Sequence, residues 1–119
     1  MKAIIVEDEF LAAIHAESAL EGLGVEVVGM AEDRAGALAL ANEELEVALV
    51  DLNLRDGFTG PSIGMELAHA GIRVVFVTAN PSDLNGLDTL QSPVLEKPLE
   101  QTKLGQVLEL DSSEECRRT

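Results

Sequence analysis

The chain has 119 residues, 46% hydrophobic and 25% charged, a composition that supports one folded domain and is globular rather than that of a disordered chain. Twenty-two acidic residues against 8 basic ones give a formal net charge of −14, which repels a phosphate backbone and argues against direct nucleic-acid binding. No apolar run approaches the roughly 18 to 20 residues of a membrane span, and the chain opens on a strand-like run rather than a leader, so a cytoplasmic location without membrane contact is expected.

Residues 3–6 read as a buried strand, followed by a helix over 9–23 that Gly24 closes. A second strand is expected at 25–30 and an Ala/Leu-rich helix at 34–44. Residues 47–50 form a third strand running into Asp51. A loop over 52–60 follows, and Pro61 is placed to start a helix that reaches about Ala70 before Gly71 stops it. Residues 72–77 are a fourth strand, 81–90 a weak helix interrupted by the Asn85-Gly86 turn signal, 94–95 a very short fifth strand, and 99–110 a last helix. Residues 1–110 thus make one domain, and 111–119 a polar tail holding the single cysteine, Cys116, expected to be a free thiol.

Five βα units in succession imply an α/β fold, a doubly wound parallel sheet with helices on both faces. Continuously apolar strands fit burial on both sides. In such sheets the working site lies beyond the carboxyl ends of the strands. Those ends carry Glu7 and Asp8 after strand one, Asp51 after strand three, Thr78 after strand four, and Glu96-Lys97-Pro98 at strand five. Clustered carboxylates resist ionisation unless a cation neutralises them, and an all-oxygen set suits a hard ion such as Mg²⁺. One carboxylate can then attack phosphorus, with metal and lysine offsetting charge on the phosphoryl oxygens. Taken singly, each residue has a plainer explanation: Asp51 as a turn cap, Thr78 as a β-branched strand residue, Lys97-Pro98 as a surface turn. Together they would require five coincidences on one sheet edge.

From Ile4-Ile-Val-Glu-Asp-Glu9, through Leu49-Val-Asp-Leu-Asn-Leu54 and Asp56-Gly57, to Val77-Thr-Ala-Asn-Pro81 and Glu96-Lys-Pro98, the chain resembles the response-regulator receiver domains of two-component signalling. The resemblance covers nearly the whole chain. It implies a flavodoxin-like (βα)5 sheet of order 2-1-3-4-5. It also implies that Asp51 accepts a phosphoryl group from a histidine kinase or histidine phosphotransfer protein. Asp8 would bind Mg²⁺ directly, Glu7 mainly through water, and Asn53 through its backbone carbonyl. Thr78 and the backbone amide of Ala79 would bind the phosphoryl group, Lys97 would pair with it, and Lys97-Pro98 would be a cis peptide bond. The chain would catalyse only its own phosphorylation and dephosphorylation, and would signal to a downstream protein by contact.

Two features depart from the family pattern. An aromatic usually stands three residues before the lysine, but here it is Val94, and Asn85-Gly86 breaks the fourth helix. Output through remodelling of residues 81–92, with Leu84 or Leu87 repacking, is therefore expected. No output module follows in this sequence, so the chain reads either as a stand-alone receiver acting by protein contact, the favoured reading, or as a receiver cut from a longer protein. On the first helix, Ala12, Ala16, Ala19, Leu20 and Leu23 are expected to face the sheet. Leu11, Ile14, His15 and Ser18 fall on the opposite arc, where the resemblance places kinase docking. His69 reads as a last-turn residue rather than a ligand. An aspartate-nucleophile phosphatase would need an acid where Asn53 stands, and a flavin-binding fold a Ser/Thr/Gly-rich loop where Glu7-Asp8-Glu9 stands. A scaffold receiver that carries no phosphate would have lost pocket residues, and this chain has lost none.

Overall fold

Alternate residues of each central strand face opposite sides, and both sides are covered, which is why the strands are apolar throughout. The computed structural model describes residues 1–54, 56–80 and 92–109. Five strands, β1 (Lys2–Val6), β2 (Glu26–Ala31), β3 (Val47–Asp51), β4 (Arg73–Thr78) and β5 (Val94–Glu96), form one parallel sheet in the order β2-β1-β3-β4-β5. Ile5, Leu49 and Val77 pack on one face beneath α1 (Phe10–Gly22) and α4 (Gln101–Leu108). Ile4, Val6, Val50 and Phe76 pack on the other, beneath α2 (Arg34–Leu40) and α3 (Gly60–His69). Burying 28 apolar side chains among the described residues supplies the main driving force, at about 1.5–3 kcal/mol for each large one. The doubly wound parallel sheet is as the sequence implies, and its strand order is the one the family resemblance implies.

Strand positions agree with expectation to within a residue, whereas helix ends differ more. The second helix stops at Leu40 rather than Glu44 because Asn42 offers an alternative. Its side-chain oxygen accepts from the amides of Glu44 (2.8 Å) and Leu45 (3.1 Å), turning the chain toward β3 instead of continuing the helix. The last helix begins at Gln101, leaving Leu99 in the preceding turn, and ends on left-handed Glu109 (φ 61°). On α1 the buried arc is Ala13, Ala16, Ala19 and Leu20, so Ala13 takes the place expected of Ala12. Glu9 caps this helix by accepting from the amides of Leu11 and Ala12. Leu11, Ile14, His15 and Ser18 are exposed, as the wheel predicts, and His69 lies in the last turn of α3. The expected helix at 81–90, Leu84, Leu87, Cys116 and the 111–119 tail lie outside the described residues. Val94 is half-buried, pairs with Phe76 and packs at the edge of the α2/α3-side core.

Gly60 sets how closely α3 approaches the exit of β3. A Cβ there would sit 2.1 Å from the Asp51 carbonyl oxygen and 2.6 Å from the Leu52 Cα. Both neighbours are main chain and cannot rotate away. Gly60→Ala is therefore expected to destabilise the domain by about 2–3 kcal/mol, as overpacking against rigid neighbours does. Gly22→Ala is the control, since the added methyl would meet only the end of the Gln101 side chain. Urea unfolding checks the pair; equal stability of the Gly60 variant and wild type would show that α3 can lift without cost.

Candidate functional site

Because all five strands run the same way, every strand end falls on one edge of the sheet, and three short continuations carry the chemistry there. The Glu7 amide donates to the Ala31 carbonyl (2.8 Å), extending the β1–β2 pairing by one step and fixing Glu7 above the sheet. Leu52 donates to Val77 (3.0 Å), which holds Asp51 at the end of β3. Lys97 donates to Thr78 (2.7 Å) just after β5. The side chains so placed converge.

Lys97 Nζ lies 2.6 Å from Glu7 Oε1 and 2.8 Å from Asp51 Oδ2. The second Asp51 oxygen, Oδ1, accepts from the Asn53 amide at 2.9 Å. Carboxylate oxygens of Glu7, Asp8 and Asp51 lie within 4.8 Å of one another, close enough to ligate one ion. Glu7 and Asp51 are buried and Asp8 is exposed at the rim. A buried all-oxygen donor set with one solvent-facing member fits a hard divalent cation that keeps part of its water shell. Neither histidine belongs to this cluster.

Charge at the site is poorly balanced. Burial pushes the Glu7 carboxyl up to about 7, and the Asp51 carboxylate beside it adds to the effect while Lys97 opposes it. Burial alone would lower the Lys97 ammonium, but the hydrogen-bonded carboxylates of Asp51 and Glu7 outweigh it and hold its pKa above the ordinary lysine value. One lysine thus neutralises two buried acids incompletely, and a cation between them would complete the balance.

Thr78 is fully buried at the end of β4. Its hydroxyl donates to the Asn80 carbonyl (3.2 Å) and accepts from the Asn80 amide (3.1 Å), closing a small turn around exposed Ala79. Lys97-Pro98 is cis, as the resemblance implies. The structure therefore brings Glu7, Asp8, Asp51 and Lys97 into one cluster, and sets Thr78 at the end of β4 and Ala79 and Asn53 on the loops that follow β4 and β3.

Three features here were not anticipated from sequence. Glu7, expected only as a metal-site residue acting mainly through water, is also an ion-pair partner of Lys97. The His15 ring, exposed on α1, bonds through Nε2 to the Leu99 carbonyl (2.8 Å). A cavity of about 440 Å³ lies between α1 and the sheet, with Glu7, Asp51 and Lys97 among its lining. Phe10, Leu11, Ile14 and Phe58 are large apolar side chains left 40–72% exposed, and Leu11 also lines the cavity.

No family model matches the chain. The phyllosphere-induced regulator PhyR of Methylorubrum extorquens is 32% identical over 109 residues, 88% of this chain and 41% of that protein. The chain thus spans about two-fifths of this curated relative. Among solved structures, the BeF3-activated conformation of SdrG from Pseudomonas melonis Fr1 is 34% identical, with a TM-score of 0.75 over 92% of this chain and 93% of that one. The PhyR response regulator REC domain of Erythrobacter litoralis is 28% identical, with a TM-score of 0.78 over 92% and 91%.

Proposed function

The chain belongs to the response-regulator receiver domains, and from that membership we propose that it takes up a phosphoryl group on Asp51, aided by Mg²⁺, and passes the signal on by protein contact. The observation that carries this reading is the cluster itself: three acids within 4.8 Å and a lysine joining two of them. An Asp51 oxygen attacks phosphorus, the new O–P bond forms as the donor's bond to phosphorus breaks, and that bond's electron pair leaves with the donor. Lys97, already against Asp51, turns its charge to the incoming phosphoryl oxygens. Thr78 exchanges its bonds to Asn80 for one to the phosphoryl group, and the Ala79 amide supplies another. Asp8, Glu7, Asp51 and the Asn53 carbonyl would hold the cation. Bound there, Mg²⁺ would offset the charge that builds on the transferring oxygens.

The chain acts as a phosphoacceptor that promotes only its own phosphorylation and dephosphorylation. A histidine kinase or phosphotransfer protein meets the exposed Leu11 and Ile14 on α1, a few residues from the acids. The BeF3-activated form of a 34%-identical relative makes beryllofluoride a natural probe.

Metal titration tests the cation's role. Asp8→Ala is expected to weaken Mg²⁺ binding by about tenfold or more, and Glu7→Gln by less, since a direct ligand contributes more than one acting through water. Because Glu7 holds its proton up to about pH 7, metal affinity should rise as pH increases through that value, a proton being released as the ion enters. Isothermal titration with beryllofluoride present reads both effects. An Asp8→Ala chain that binds metal as well as wild type would remove the cation from this site.

A further inference from the structure

His15 lies in the second turn of α1, and its bond to Leu99 spans 84 residues of sequence. A carbonyl oxygen can only accept, so the ring presents Nε2–H to it. Leu99 stands two residues after Lys97, and Pro98 between them has no amide hydrogen to contribute. The Lys97 amide is bonded to the Thr78 carbonyl at 2.7 Å. The short turn carrying Lys97 is therefore fastened at one end to the sheet and at the other to α1. The buried Leu99 side chain anchors the far end, and the His15 bond fixes how its peptide is turned.

Beside Pro98 lies the cavity of about 440 Å³, lined also by Ala12, Ala16, Ile5, Leu49 and Val77. A lysine that must stay on Asp51 and follow the phosphoryl group needs its backbone held.

We infer that His15 is a positioning residue for phosphoryl uptake: its bond to the Leu99 carbonyl holds the 97–99 turn so that the Lys97 ammonium reaches Asp51 and the group added to it. This rests on the phosphoacceptor reading above. It gives an exposed histidine on the kinase-facing arc a role within the chain, independent of any partner.

The test uses the full chain with acetyl phosphate and Mg²⁺, so that no protein partner contributes. His15→Ala is expected to slow uptake about fivefold, the rate equivalent of one lost neutral hydrogen bond, with Mg²⁺ affinity unchanged. His15→Gln, whose side-chain amide can donate to the same carbonyl, should recover most of the rate. In a Lys97→Met background, His15→Ala should have no further effect, because the residue it positions is gone. His15 is exposed and belongs to neither buried core cluster, and thermal melts check that its variants fold. Uptake unchanged in His15→Ala, a glutamine variant as slow as the alanine one, or an equal slowing without Lys97 would each overturn the inference and leave the phosphoacceptor reading standing. A wild-type chain that takes up nothing would overturn both.

Discussion

An Asp51→Asn chain is expected to lose phosphoryl uptake by at least about a hundredfold, while folding without metal at least as stably as wild type. An amide oxygen carries no negative charge to attack phosphorus with, so the chemistry stops. The shape barely changes: the remaining side-chain oxygen can still accept from the Asn53 amide or from Lys97 Nζ, which lie 2.9 Å and 2.8 Å from the two Asp51 oxygens. What changes is charge. Asp51 is one of the causes that raise Glu7 to about 7, so removing it lets Glu7 ionise more readily and pair with Lys97 at 2.6 Å. One buried acid and one lysine then balance. Intact-mass analysis after incubation with acetyl phosphate and Mg²⁺ reads the first effect and urea unfolding the second. Undiminished labelling of the variant would move the phosphoacceptor elsewhere.

Lys97→Met should do the reverse to stability. It leaves two buried carboxylates facing each other without their shared cation, and breaking a buried pair by removing one partner exposes the other's desolvation. The expected loss in the metal-free chain is on the order of 2–3 kcal/mol near pH 8. Glu7 makes this loss depend on pH, and the sign follows from its raised folded value. A carboxyl held at about 7 in the folded chain, above its ordinary 4.5, contributes stability that is complete below about pH 4.5 and fades as pH rises through 7. Without Lys97 the Glu7 carboxyl rises further, so the fading continues above neutrality. Toward about pH 5 the gap to wild type should narrow, because a protonated Glu7 no longer repels Asp51. Mg²⁺ should stabilise the variant more than wild type, since it neutralises the same acids. Unfolding curves at two pH values, with and without Mg²⁺, check all three. A variant as stable as wild type at both would mean that Lys97 is not what offsets the acids.

The site was legible in the sequence because a parallel sheet turns sequence order into spatial convergence. Glu7, Asp8, Asp51 and Thr78 stand at the ends of clearly apolar strands and Lys97 just after the very short fifth one, and all such ends share one edge. Strand identity survived because burial on both faces leaves runs such as Val47–Asp51 no reason to alternate. Helix limits were harder to read, since a single side chain can end a helix that composition would continue. Asn42 does so after Leu40, where Ala and Leu propensities favoured another turn. Side-chain pairing between distant segments was not legible at all. Nothing local to His15 announces the Leu99 carbonyl, and nothing local to Glu7 announces Lys97. Gly60 is similar: its reason for being glycine is the main chain of Asp51 and Leu52, visible only once α3 has docked.

The claim that this receiver domain carries a phosphoryl group on Asp51 is tested most directly by mapping where the group lands. The wild-type chain is incubated with acetyl phosphate, with and without Mg²⁺, and the labelled protein is digested and analysed by mass spectrometry. The predicted result is a single phosphoryl group, formed only with the metal, on the peptide that contains Asp51. A wild-type chain left unlabelled with Mg²⁺ present, or labelled on a peptide lacking Asp51, would contradict it.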